Sequence, residues 1–197
     1  MIETRPNPTL IPLWLAVGFT VLLAMPFGLW LGKYNFTLWV AFIVWAEYFA
    51  LGGKPSALRI ILPSFSAGAI LTAGILLLMP AFSFLPSIRT PNDFSSSVVL
   101  AGGVAFLVFV MRWSVTLQKG SLPYFNGMTM TLAVFFSGSY PKLATTVLAP
   151  LEAGVWAVLM GTFGALLGAF NVWLTFPAST KSNIAAPSPA VSTSSPI

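Results

Sequence analysis

Cysteine and histidine are both absent from the 197 residues, and acids are scarce: Glu3, Glu47, Asp93 and Glu152 are the whole set. Without cysteine there is no disulfide framework and no thiolate metal site. Without histidine the commonest general base and transition-metal ligand is gone as well. Charged residues make up only 7% of the chain while 57% is hydrophobic, whereas a soluble domain is about a quarter charged. That imbalance excludes a soluble globular domain and leaves an integral membrane protein. With so few acids and no His or Cys, no nucleophile and base can be assembled, so the expectation is no enzyme, no cofactor and no metal site.

What is present is a series of long apolar runs. A helix needs about 20 apolar residues to cross the bilayer, and six stretches qualify as candidate spans: 10–31, 36–51, 58–78, 96–113, 122–137 and 146–174. The expected fold is therefore all-α, one polytopic membrane domain over 1–176. The first stretch is too long for a cleaved leader and is expected to stay in the mature chain. From Pro177 the sequence turns to Ser, Pro and Ala without an apolar period, and 177–197 reads as a disordered tail.

A shift of 86 residues lays the chain on itself. Phe49, Gly52 and Pro55 fall on Phe135, Gly138 and Pro141, and without a gap Met25 meets Met111, Lys33 meets Lys119, and Gly68 meets Gly154. The reading is a duplication of three helices, about 10–80 and about 96–174. Three is odd, so the second copy enters the membrane from the other side, an inverted repeat. Arg5, Lys54, Arg59, Arg112, Lys119 and Lys181 then share one side against Lys33, Arg89 and Lys142, which puts both termini in the cytoplasm by the positive-inside rule. The net charge of +5 reads as membrane orientation and headgroup contact, not as a nucleic-acid surface.

The second member of each trio, 36–51 and 122–137, is short, and each ends in Phe-x-x-Gly-x-x-Pro. Matching Gly/Pro-interrupted segments in two inverted halves point to a transport site between broken helices. The same motif also suits a tight hairpin turn at the membrane surface, because Gly accepts a left-handed stop and Pro can open a helix. In the last span Gly154, Ala157, Gly161, Gly164 and Gly168 draw one stripe of small residues, which favours close helix packing. Ser64, Ala67, Gly68, Thr72 and Gly74 form a weaker stripe in the third, so the third and sixth spans are expected to pack together.

Acids inside spans are functional candidates because burying them is costly. Glu47 and Glu152 qualify, one near each end of a pathway, and pairing with Lys54 or Arg59 and with Lys142 is the plainer alternative. Asn126, with Ser121, Thr129 and Thr131, could line a route for a small polar solute, and interhelical bonding explains such residues equally well. Glu47, Glu152, Asn126 and Thr129 are the pathway candidates.

The stretch Ala46, Tyr48, Phe49, Ala50 and Gly52, followed later by Gly127, Phe136 and Gly138 and then Gly154, resembles the YcdZ-like (DUF1097) family of small bacterial inner-membrane proteins of unknown function. The resemblance implies an inner (plasma) membrane location and a helical fold over about 10–174, with no substrate and no site residues. Glu47 departs from the small residue that the pattern leads one to expect, and the Ser/Pro tail lies outside it. Three functional classes follow: a channel or secondary transporter for a small solute or ion, a non-transporting scaffold or accessory subunit, and, least supported, an enzyme. The partners expected are the lipid bilayer, an unidentified small solute or ion and a further copy of the chain.

Overall fold

Proline and glycine set the ends of the helices. The computed structural model describes residues 11–176, and the tail reading at 177–197 lies outside these residues. Seven helices are described: α1 Leu13–Trp30, α2 Leu38–Ala50, α3 Pro55–Leu76, α4 Asp93–Met111, α5 Val115–Lys119, α6 Ser121–Phe136 and α7 Ala149–Thr175. Six of them fall on the expected spans to within about three residues at each end. The five-residue α5, opened by the Ser114 hydroxyl accepting from the Leu117 amide, was not foreseen. No strand occurs among the described residues.

Pro55 opens α3 at its first position, where the missing N–H costs nothing, and Pro150 sits in the first turn of α7. Pro63 lies within α3 on an exposed face. α1, α3, α4 and α7 are long and apolar enough to cross a membrane, and α2 is apolar but shorter. These helices make the chain a membrane protein.

Burial sorts them into layers. Half of the most apolar window of α3 and of α7 is buried, against 17% for α1 and α4. α3 and α7 therefore form the centre, and α1 and α4 lie outside with most of their apolar surface turned outward. α6 packs along α3, α2 along α7, α4 against α3 and α1 against α7.

The directions follow from close approaches. Gly161 lies against Phe65, and Gly154 against Ala69 and Ala73, so α3 and α7 run antiparallel. Thr37 donates to the sulfur of Met160, Gly164 meets Ala41 and Gly168 meets Tyr48, so α2 and α7 run parallel. Gly120 meets Ser64 and Gly68 meets Tyr124 and Met128, so α3 and α6 run parallel. It follows that α2 and α6 point in opposite directions.

The small-residue stripe of α7 is buried throughout and serves two partners, with Gly154 and Gly161 against α3, and Gly164 and Gly168 against α2. At Gly164 even one added carbon would collide with the backbone of Ala41. The expected stripe on α3 is redirected. Its face toward α7 is Phe65, Ala69 and Ala73, while Ser64 and Gly68 face α5 and α6, and Gly74 faces open space.

The ungapped shift of 86 holds only locally. The ends of α1 and α4 (Trp30, Met111) are 81 residues apart, those of α2 and α6 (Ala50, Phe136) are 86, and the starts of α3 and α7 (Pro55, Ala149) are 94. The cause is loop length: 51–54 is four residues and 137–148 is twelve. Gly68 and Gly154 are thus not equivalent positions on their helices, and neither are Met25 and Met111.

Candidate functional site

The repeated Phe-x-x-Gly-x-x-Pro motif ends helices at the rim of the bundle. After α2 the Gly52 amide donates to the Phe49 carbonyl and the Gly53 amide to Tyr48; after α6 the Gly138 amide donates to Phe135 and the Ser139 amide to Val134. These are the same two capping bonds, with positive φ at Gly52 (89°), Gly53 (62°) and Gly138 (66°), where a side chain would be strained. Gly53 lies against Val172, close to the end of α7 at Thr175, so the first turn stands at the end of the bundle. The second, after α6, is level with the end of α3 and the start of α7. The motif stops helices at the two ends and does not break them at mid-depth. The prolines also part ways, since Pro55 opens α3 whereas Pro141 lies in the long connection, eight residues before α7.

Glu152 and Glu47, both acids inside expected spans, sit in unlike places. Glu152 is in the first turn of α7 and accepts the amides of Leu143 at 2.7 Å and Ala144 at 3.1 Å, so both of its oxygens are used in holding the 137–148 connection. Its partners are backbone N–H groups next to Lys142, and the helix N-terminus favours its charge. An open groove of about 540 Å³, lined by Pro141, Leu143, Leu151, Glu152 and Trp156 among others, lies beside it. Asp93 does the same work at the start of α4, accepting amides from Ile88, Arg89, Thr90 and Phe94.

Glu47 is 2% exposed, inside the bundle. Asn126 of α6 donates its amide to Glu47 Oε1 at 2.5 Å, so the bond that Glu47 makes crosses to the antiparallel short helix and not to Lys54 or Arg59. Its other oxygen, Oε2, is buried and has no partner among the described residues. A buried carboxyl oxygen in this condition is expensive whichever way it is protonated, because a carboxylate needs a donor or a cation and a neutral acid needs an acceptor.

The structure thus brings together Glu47 and Asn126. Glu152 lies about 24 Å along α7 from the level of Glu47 by the usual helical rise, well beyond the start of α2, where Thr37 meets Met160. Thr129 is on the exposed face of α6, its hydroxyl returned to the Phe125 carbonyl at 2.9 Å. Phe49 is partly exposed and Phe135 stacks on Tyr140.

A polar group that the sequence reading passed over joins α1 to α7. Asn171 donates to Thr20 at 3.0 Å, both wholly buried, and Thr20 donates to the Ala16 carbonyl. An Asn in the apolar run AFNVW was the available signal, by the same rule of interhelical bonding that applies to Asn126.

Residues 13–176 match the family described as protein of unknown function (DUF1097). The chain belongs to the DUF1097 family. The match runs from the first residue of α1 to the residue after α7, so in DUF1097 the whole helical bundle, with both short helices and Glu47, lies in the matched region. No curated protein and no solved structure matches the chain.

Proposed function

We propose that this DUF1097 protein is a channel or secondary transporter for a small solute or ion, non-enzymatic, with Glu47 and Asn126 as its station. One observation carries the reading: a carboxyl group 2% exposed among apolar helices, bonded on one oxygen across the bundle and open on the other. An acid kept inside a membrane bundle without a full set of partners is a functional candidate by default. Its open oxygen accepts a donor or a cation, so the solute is a cation or a neutral molecule bearing N–H or O–H groups, and an anion is disfavoured.

The architecture proposed around it is six spans in two inverted halves, α1 to α3 and α4 to α7, in the inner membrane with both termini cytoplasmic. What supports the inversion is the exchange in packing, in which α3 lies along α6 as α7 lies along α2, and the outer helices α4 and α1 rest on α3 and α7 in turn. The antiparallel course of α2 and α6 supports it too. Glu47 and Asn126 then join the short helix of one half to that of the other across the interface between the repeats, the interface at which inverted-repeat transporters hold their solutes, one turn from the end of α2.

Uptake into proteoliposomes of alkali cations, ammonium and small polyols, for wild type, Glu47→Gln and Asn126→Ala, tests the station. The expected result is uptake by the wild type that falls at least tenfold in Glu47→Gln and less in Asn126→Ala. Wild-type vesicles indistinguishable from empty ones across the panel would sink the transport reading. The second reading, a scaffold or accessory subunit, rests on the backbone-close glycine contacts at Gly68, Gly127 and Gly164. Purification with a partner in fixed ratio would favour it.

A further inference from the structure

Hydroxyl groups on the helices of this chain have a habit. Thr20, Ser97, Thr129, Ser137 and Thr175 each donate to the carbonyl four residues earlier, at 2.6 to 3.0 Å. That is the usual resting place of a helical Ser or Thr. Of the buried helical hydroxyls that do otherwise, Ser64 donates to the Thr116 carbonyl and Ser95 to the Asn92 carbonyl, whereas Thr72 of α3 and Thr131 of α6, 2% and 0% exposed, have no partner among the described residues.

The two threonines share one seam. Gly68 of α3 lies on the backbone between Tyr124 and Met128, and Gly127 of α6 lies on the backbone between Phe65 and Ala69, so close that a side-chain carbon at either would strike a carbonyl oxygen. One turn further along these parallel helices, on the same face, come Thr72 and Thr131, in GAILT and GMTMT. The spacing Gly-x-x-x-Thr therefore occurs on both sides of the seam, and it puts the two threonines at one level, a turn beyond the glycine contacts. The glycines four residues back carry no side chain to cover their own carbonyl oxygens, which lie along the same seam.

We infer that Thr72 and Thr131 form a buried site for one small neutral hydrogen-bonding molecule, water in the resting protein, held between the α3 and α6 hydroxyls. A molecule of that size finds two hydroxyls and the bare carbonyl edges of Gly68 and Gly127, the two to four polar partners that a buried water needs. The ligand is neutral because α3 and α6 bring no charge of their own to this level: α6 carries no charged residue, the nearest on α3, Arg59, is about 20 Å away along the helix, and the carboxyls on the neighbouring helices are engaged elsewhere, Glu47 with Asn126 and Glu152 with the Leu143 and Ala144 amides. The site does not depend on the transport reading, since Thr131 faces α3 whereas Asn126 faces α2.

The test uses the full chain in lipid bilayers, with threonine labelled for solid-state NMR and magnetisation transferred from water. Transfer to both Thr72 and Thr131 is expected, and at the remaining threonine of the pair it is expected to persist in Thr72→Ser and Thr131→Ser and to fall in Thr72→Val and Thr131→Val. In thermal unfolding each single valine variant should melt below wild type, and the double variant should melt higher than the sum of the singles predicts. Absence of water transfer to wild-type Thr72 and Thr131 overturns the site, whether or not the two positions are coupled, because the hydroxyls then bond each other or nothing. Single valine variants that both melt above wild type overturn it as well, since removing a truly unbonded hydroxyl stabilises.

Discussion

Glu47 and Glu152 are the same residue in two conditions, and the contrast separates fold from function better than either alone. Glu152 stands at a helix start and spends both oxygens on backbone amides. Glu47 is buried in the bundle with one oxygen bonded and one open. A charge satisfied by the backbone is architecture, whereas a buried valence left open is a place for something else to bind. On the proposed reading it is this open oxygen, and not position inside an apolar run, that sets Glu47 apart from Glu152.

The sharpest way to break the contrast is to replace the Glu47 carboxyl by an apolar group. Replacing both members of the pair, in the double variant Glu47→Leu/Asn126→Leu, leaves no stranded donor, and replacement of a whole buried polar pair by apolar groups is often neutral or stabilising, by about 1 to 4 kcal/mol. The expected outcome is a melting temperature at or above wild type together with uptake lost by at least tenfold. A double variant that unfolds would make Glu47 a structural residue like Glu152. Next in size is Gly164→Ala, a position of the fold alone, where the new carbon meets the Ala41 backbone. A cost of about 1 to 3 kcal/mol is expected from overpacking, with uptake falling only as far as folded protein is lost. Together the two variants separate lost chemistry from lost fold. The smallest effect belongs to Glu152→Gln, which keeps an acceptor for one amide and loses the charge in the first turn, for about 0.5 to 1 kcal/mol. Its uptake should stay within about twofold of wild type, and a larger loss would move Glu152 onto the pathway.

Helix positions were legible in the sequence because apolar length and Gly/Pro punctuation are local properties. The stops at Gly52 and Gly138 could be read from the residues themselves, since each needs a left-handed backbone. Partners were less legible. The stripe on α3 pointed to α7, yet Gly68 packs on α6, because a small residue says that something comes close without saying what. Glu47 and Asn126 were both visible as polar residues in apolar runs. That they bond each other was not, because their 79-residue separation is closed only by the antiparallel course of the two short helices. The ungapped repeat went astray at the connections, where eight extra residues between α6 and α7 carry no apolar signal to mark the insertion.

Those unequal connections bear on how the protein is made. α2, at 13 residues, is too short to rest securely across a bilayer by itself, but four residues tie it to the 22 of α3, so on the proposed six-span topology the two enter the lipid as a single hairpin. α6 and α7, separated by twelve residues, have slack enough to be threaded one after the other. The half of the chain that emerges first is thereby the more constrained, and it presents a ready-made surface along α3 on which the later α6 can dock.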